Sequence, residues 1–314
     1  MSKVLVTGGA GFIGSNLVKT LIRRGYEVIA YDNLITGKMD NIVELYGRDM
    51  FRFVKGDILD YHKLVSEMSG VRYVLHQAAL PSVARSVSDP VVANRINVEG
   101  TINVLLAAHR CSVEKVVIAS SSSVYGDTPE LPKREDMPYS PLSPYAVTKV
   151  ATELYAEVFR DLYDMPTVCL RYFNVYGPKQ DPKSEYAAVI PKFISAAIRG
   201  EPLIIYGDGM QTRDFTFVED VVNANILAME RSTVGNYNIA RGERISIREL
   251  ADVILDLTSS SSEIIHVKPR PGDIRHSLAD ITKAKTELGF HPKYDLKSGL
   301  IKTIEWVKTV MYGL

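Results

Sequence analysis

Six short apolar, β-rich runs along the first half of the chain read as buried strands: Lys3 to Thr7, Glu27 to Tyr31, Phe51 to Lys55, Arg72 to His76, Lys115 to Ser120 and Thr167 to Arg171. The stretches between them carry apolar residues at helical spacing. Strands buried on both sides and alternating with helices predict an α/β fold, a doubly wound parallel sheet covered on each face. From about Tyr172 the rhythm changes. Gly177-Pro178, Pro182, Pro191, Pro202 and Gly207 to Gly209 punctuate shorter elements, a turn is expected at Pro269 to Gly272, and a helix near Trp306 closes the chain. The serine run Ser259 to Ser262 reads as a loop. The segment around Phe215 to Ala240 is expected to return to the first sheet. The expected division is therefore 1–173 and 215–242 in a first domain, with 174–214 and 243–314 in a smaller C-terminal α/β lobe.

Composition narrows the class. Of 314 residues 46% are apolar and 24% charged, enough for a large core and too apolar for a disordered chain. Lys plus Arg equals Asp plus Glu at 37 each, so no bulk field draws in a nucleic acid or an anionic membrane. An anionic ligand must be met by local devices. The N-terminus opens on a strand-like run and no window of about 18 uninterrupted apolar residues occurs, so a cytoplasmic protein without membrane association is expected. The two cysteines, Cys111 and Cys169, have apolar neighbours and read as buried reduced thiols. No metal is expected.

The first run leads directly into Thr7-Gly8-Gly9-Ala10-Gly11-Phe12-Ile13-Gly14 and then a helical pattern from Phe12 to Arg24, placing Gly8, Gly11 and Gly14 where strand becomes helix. One glycine permits the tight turn, one lets a pyrophosphate approach the backbone, and one lets helix and strand pack closely. Asp32 ends the second run, where a carboxylate accepts from both ribose hydroxyls and repels a 2′-phosphate, so NAD is expected over NADP. Asp57, after the third run, could accept from the adenine amino group.

Tyr145 and Lys149 stand four apart on a helix that begins after Ser143-Pro144, so both face one way. In a chain of this length such a pair arises by chance about once, so its position carries the information: it follows the strand that ends in Ser120 to Ser123 by about twenty residues. A phenol titrates near 10; an ammonium and a nicotinium charge beside it would favour the phenolate and fit it to accept a hydroxyl proton. A serine hydroxyl from the strand end would hold the same oxygen.

Along its whole length the chain resembles the extended short-chain dehydrogenase/reductases, and within them the nucleotide-sugar 4-epimerases, most closely those of UDP-N-acetylglucosamine. The strings that carry the resemblance are TGGAGFIG (7–14), YDN (31–33), GDI (56–58), HQAAL (76–80), SSSVYGD (121–127), SPYAVTK (143–149), RYFNVYGP (171–178), YAAVIPKF (186–193), GDGMQTRDF (207–215) and RPGDIRHSLAD (270–280). The resemblance implies that Tyr145 is the base, that Lys149 lowers its pKa and holds the nicotinamide ribose, and that Ser121, assisted by Ser122, binds the reacting 4-OH. It places Phe12, Ile13, Asn33 and Ile58 at the cofactor, together with Gln77, Ala78, Ala79 and Tyr172. On the substrate side it assigns Asn174, Arg213 and Arg270 to the diphosphate, Ala188, Val189 and Lys192 to the uracil region, and Ser82, Tyr206, Asp273 and Ser277 to the rest of the UDP-sugar. A neutral protein needs such placed guanidiniums to meet a diphosphate.

Related dehydratases and decarboxylases begin with the same C4 oxidation and carry acidic side chains just before Val-Tyr-Gly. This chain has Ser122 and Ser123 there. Without a carboxylate to move a proton at C5 or at the 6-OH, the reaction most easily completed is return of the hydride to C4, with NAD staying bound through turnover. Ser277, small where family members that exclude an N-acetyl group carry a bulky aromatic, leaves room for N-acetylhexosamine as well as plain hexose. Two other readings are a UDP-glucuronate 4-epimerase and a non-catalytic NAD-binding regulatory protein; joint retention of Ser121, Tyr145 and Lys149 argues against the second. By analogy with the family, helices over Asp89 to His109 and Pro144 to Tyr163 would pair across a homodimer axis.

Overall fold

The computed structural model describes residues 2–181, 188–269 and 274–312. Its centre is a seven-stranded sheet. In chain order the strands are β1 (Lys3–Thr7), β2 (Glu27–Asp32), β3 (Phe51–Lys55), β4 (Tyr73–His76), β5 (Lys115–Ser121), β6 (Thr167–Tyr172) and, after four short strands elsewhere, β11 (Gly235–Ile239). They lie in the order β11-β6-β5-β4-β1-β2-β3, and every pairing is parallel. This is the Rossmann-type α/β arrangement expected from the apolar runs. Alternate residues of one strand enter opposite cores: Val4 and Val6 pack with α1 (Phe12–Arg23) and α8 (Val218–Glu230), whereas Leu5 packs with α2 (Tyr61–Met68), α5 (Gly100–Arg110) and α6 (Pro144–Tyr163). The strand order reverses between β1 and β4, which opens a crevice at their carboxyl ends.

The remaining elements are short. The strands β7 (Val175–Tyr176), β8 (Leu203–Tyr206), β9 (Thr212–Arg213), β10 (Thr216–Phe217), β12 (Ile245–Ser246) and β13 (Ile264–Val267) form three two-stranded pairs, β10-β7, β12-β9 and β13-β8. Helices α7 (Val189–Arg199), α9 (Ile247–Thr258) and α10 (Leu296–Tyr312) pack on them around Phe193, Ile205, Leu250 and Leu300. The segment expected to return to the main sheet does so: α8 lies on α1, and β11 pairs with β6. Both cysteines are free; Cys169 is buried and Cys111 half-buried, more open than its sequence neighbours imply. Among the described residues no helix is long and apolar enough to cross a membrane.

One expected helix is broken. A separate short helix, α3 (Val83–Ser88), precedes it, and over Asp89 to His109 the chain forms α4 (Pro90–Asn94) capped by Asp89, then a wide π turn over Arg95–Glu99 before α5. The turn has a purpose in the packing. It lets the buried Asn97 side chain reach the loop after β4, where Leu80 N–H donates to Oδ1 at 2.7 Å and Nδ2 donates to Leu80 O at 3.3 Å.

Candidate active site

The chain leaves β1 through Gly8, whose φ of +66° only glycine adopts freely and whose missing Cβ would stand 2.8 Å from Ala78 N. A Cβ on Gly14 would lie 2.0 Å from Gly8 O, so that glycine lets the first turn of α1 fold onto the loop itself. Gly9 packs against Ala30. Gly11 is different: its Cβ would meet nothing nearer than Gly8 O at 3.1 Å, it caps α1 with no side-chain acceptor, and the first turn carries no acid. The unpaired N–H groups and the positive end of the helix dipole are thereby left to an anion, a cradle that fits a dinucleotide pyrophosphate.

Around this cradle a cavity opens at the carboxyl ends of β1, β2, β4 and β5. Gly8, Gly11, Phe12, Ile13 and Gly14 form one wall, Asp32, Asn33 and Ile58 a second, and Gln77, Ala78, Ala79 and Tyr172 the floor. Asp32 is buried; its Oδ2 accepts from Ala10 N at 3.0 Å and its Oδ1 from Leu34 N at 2.8 Å. Burial raises its pKa and these two backbone donors oppose the rise. Asp57 does not line the cavity: Oδ2 accepts from Asn33 Nδ2 and Oδ1 from Leu59 N, both at 2.9 Å, while its neighbours Gly56 and Ile58 face inward.

Tyr145 and Lys149 enter the same cavity from α6. Ser143 caps that helix, accepting from Ala146 N at 3.1 Å, Pro144 occupies its first turn, and Tyr145 N donates to Ser86 Oγ at 3.0 Å. Ser121, the last residue of β5, does not itself line the cavity; its hydroxyl accepts from Ser123 N at 3.2 Å and is near enough to the Tyr145 phenol to lower its pKa. Lys149 Nζ donates to Ala119 O at 2.7 Å and stands 5.8 Å from the centre of the Tyr145 ring. Burial draws the lysine down to about 8, against the pull of Cys169 and Glu153. The phenol departs from the sequence expectation. Burial raises it above its ordinary 10 and only the Ser121 hydroxyl lowers it, because the ammonium is turned onto Ala119 O. Lysine alone therefore does not deliver a phenolate here. Ser122 opens the helical turn Ser122–Tyr125 and does not line the cavity.

The substrate-side candidates lie elsewhere. Ser82 caps α3, accepting from Arg85 N at 3.1 Å. Asn174, at φ +32°, donates to Asp214 O at 2.9 Å. Ala188 caps α7, Val189 begins it, and Lys192 lies in its first turn. Tyr206 ends β8 and accepts through its backbone O from Gln211 Nε2 at 2.8 Å. Arg213 and Ser277 meet through Thr212, whose O accepts from Arg213 Nη1 at 2.9 Å and from Ser277 N at 3.1 Å. Arg270 and Asp273, with the expected Pro269 to Gly272 turn, lie outside the described residues apart from Pro269 itself.

Several residues went unread. Tyr31, Ile35, Thr36, Leu80, Pro81, Ile96, Ala119 and Ser120 also line the cavity. For Ser120 the signal was present, since strand alternation sends it and Ser121 to opposite sides. Beneath the floor a buried polar chain runs from Thr7 Oγ1 to His76 Nδ1 (2.7 Å), from His76 Nε2 to Thr101 Oγ1 (3.0 Å), on to Asn97 O (2.6 Å), and from Asn97 Nδ2 through Thr148 Oγ1 (3.0 Å) to Tyr145 O (2.7 Å). It joins the glycine turn to the helix that carries Tyr145.

The chain matches the GDP-mannose 4,6 dehydratase family over residues 5–303. It is 41% identical over 314 residues to a UDP-glucose 4-epimerase of Mycolicibacterium smegmatis, covering 98% of each chain. Among solved structures it is similar to a UDP-N-acetylglucosamine 4-epimerase from Methanobrevibacter ruminantium in complex with UDP-N-acetylmuramic acid, with TM-score 0.96, 41% identity and 99% of each chain covered. It is also similar to a Thermus thermophilus UDP-glucose 4-epimerase in complex with NAD, with TM-score 0.89, 37% identity and coverage of 98% and 99%.

Proposed function

The chain belongs to the GDP-mannose 4,6 dehydratase family of extended short-chain dehydrogenase/reductases, NAD-dependent nucleotide-sugar enzymes, and on that premise we propose that it interconverts C4 epimers of UDP-hexoses. The substrates are UDP-GlcNAc and UDP-GalNAc, with UDP-Glc and UDP-Gal accepted as well. On this reading 1–173 and 215–242 hold the cofactor, and 174–214 and 243–314 hold the nucleotide sugar. The observation that carries the reading is the pair Tyr145 and Lys149 lining the glycine-rich cavity, with Ser121 at the adjoining strand end and serines, not carboxylates, at 122 and 123.

The division of roles follows from placement. The Tyr145 oxygen takes the proton of the 4-OH as that carbon is oxidised and returns it on the opposite face. Ser121, close to the phenol, holds the same sugar oxygen. Lys149 supplies a positive charge beside the ring and a donor for a ribose hydroxyl. NAD held in this cavity would supply the hydride acceptor for C4, and a positive charge near the Tyr145 phenol that Lys149 would add to. Asp32 holds the adenosine ribose, and the N-terminus of α1 its pyrophosphate. Ser122 and Ser123 offer no group to abstract a C5 proton, so the 4-keto sugar turns and is reduced again. Arg213, beside Ser277, meets the diphosphate, and Arg270 is assigned to it as well.

Incubating the purified protein, without added NAD, separately with UDP-GlcNAc, UDP-Glc and UDP-glucuronate and following the anomeric proton signals tests the reading. Conversion of the first two is expected. Conversion of UDP-glucuronate alone refutes the substrate assignment, and no conversion of any, even after NAD is supplied, refutes the activity. A homodimer is part of the proposal: Val91, Val147, Leu154, Val158 and Leu162 on α4 and α6 are exposed, an apolar face suited to a second copy. Sedimentation equilibrium at twice the mass of the chain is the expected result.

A further inference from the structure

Three successive residues at the end of β5 face three positions a turn apart on α6. The Ala119 carbonyl accepts from Lys149 Nζ at 2.7 Å, the Ser120 hydroxyl donates to Glu153 Oε1, and Ser121 neighbours the Tyr145 phenol. Two of these rungs belong to the site already described. The third leads away from it: Ser120 lines the cavity, whereas Glu153 lies behind it, 1% exposed.

Every acceptor direction of Glu153 is used. Oε1 takes Arg171 Nε at 3.0 Å besides Ser120; Oε2 takes Arg171 Nη2 at 2.7 Å, Tyr139 OH at 3.0 Å and Asn236 Nδ2 at 3.0 Å. Arg171, also 1% exposed, donates onward through Nη1 to Tyr125 OH at 2.7 Å and Glu135 O at 3.2 Å, its guanidinium between the Tyr125 and Tyr139 rings. Among the described residues, every other ion pair leaves at least one partner substantially exposed. A buried pair is a poor way to gain stability over apolar packing; what it supplies is fixed geometry.

We propose that Glu153, clamped by Arg171, is a positioning residue for the reaction: through Ser120 it holds the strand end bearing Ser121 in register with the turns of α6 bearing Tyr145 and Lys149. The inference rests on the roles proposed for those three residues. Displacement of a reacting group by about 1 Å costs on the order of a hundredfold in rate, so a carboxylate that lies behind the cavity still governs turnover. Glu153 has a second effect. Lys149 is faced by Tyr145 and Glu153 from its own helix, by Cys169 from β6 and by His76 from β4. Burial keeps the histidine neutral and the cysteine a thiol, so the carboxylate sustains the ammonium against desolvation.

The test uses the full chain with its resident cofactor, the UDP-sugar that wild type converts, and the variants Ser120→Ala, Glu153→Gln and Tyr145→Phe. NAD content, thermal midpoint, kcat, KM and the pH dependence of kcat are measured for each. Ser120→Ala leaves the ion pair intact; it is expected to keep its NAD and midpoint and lose about tenfold in kcat with KM within about twofold. Glu153→Gln is expected to lose at least as much and to shift the alkaline limb of kcat to lower pH, whereas Ser120→Ala leaves that limb in place. Should Glu153→Gln not fold, Ser120→Ala decides alone. Wild-type kcat in Ser120→Ala, or a Glu153→Gln protein that is merely less stable with unchanged kcat and pH profile, overturns the inference. An inactive wild type or a fully active Tyr145→Phe instead refutes the site reading beneath it.

Discussion

Around the cofactor cavity the backbone itself is the contact surface: the Gly8 turn, the open N-terminus of α1 and the carboxyl ends of four parallel strands, each paired over four to six residues. On the side proposed for the sugar, Arg213 and Ser277 hang from a pair of strands two residues long and a single bridge, Thr212 to His276. What holds that side together is a side chain. Asp214, fully buried, accepts from Arg241 N at 3.0 Å, Gly242 N at 3.1 Å and Ala279 N at 3.2 Å, gathering two separate segments on one carboxylate. A backbone surface is hard to alter piecemeal, whereas side chains on a hub can be exchanged singly. The first therefore suits the step common to all substrates, and the second suits the choice among them.

The comparison is sharpest if damage on the cofactor side is blind to the sugar. Tyr145→Phe is expected to lower kcat by about a thousandfold for every UDP-hexose while the protein retains NAD, read by initial rates and by the nucleotide released on denaturation. A loss confined to one sugar breaks the distinction. Ser277→Tyr is the converse. It is expected to cut kcat/KM by about tenfold or more for the N-acetylated substrate and to leave the plain hexose within about threefold.

Stability separates the two sides by pH. Burial holds folded His76 neutral, its pKa pushed from 6.5 to about 3, so the stability it contributes is complete above 6.5 and is lost as pH falls toward 3. Between pH 7 and pH 5 this amounts to about 2 kcal/mol, measurable as the difference in urea midpoint shift between wild type and His76→Gln. Asp214 works the other way: burial raises its pKa from 3.8 to about 6, so the folded protein takes up a proton there before the unfolded chain does. Protonation removes charge from the acceptor of three N–H groups. KM for the UDP-sugar is expected to rise about threefold as pH falls through 6, with NAD content unchanged, the smallest of these effects.

Legibility in the sequence follows the same division. The glycine turn, Asp32 and the Tyr145–Lys149 pair were readable because each is a local pattern: spacing fixes what the backbone can do, and strand or helix fixes where the side chain points. The π turn at Arg95–Glu99 was not, since one extra residue in a helix leaves the apolar pattern on either side intact. Nor was the pairing of Glu153 with Arg171, which sit on a helix and a strand and acquire their burial only when α6 is laid on the sheet. The burial that raises the Tyr145 phenol was not legible for a related reason. Spacing placed the two groups on one face, but the desolvation that raises both energies of charging is tertiary.

The rungs between β5 and α6, with Asn97 and Thr148 tethering the same helix from behind, leave Tyr145 little freedom to travel. An epimerase must nevertheless present both faces of one carbon to one hydride position. On the proposed reaction the protein is then an anvil and the pivot is the ligand: the sugar would swing about its link to the diphosphate while the Tyr145 oxygen stays still. A UDP-sugar analogue whose ring is braced against that swing would be oxidised once and held, turning a catalyst into a stoichiometric trap.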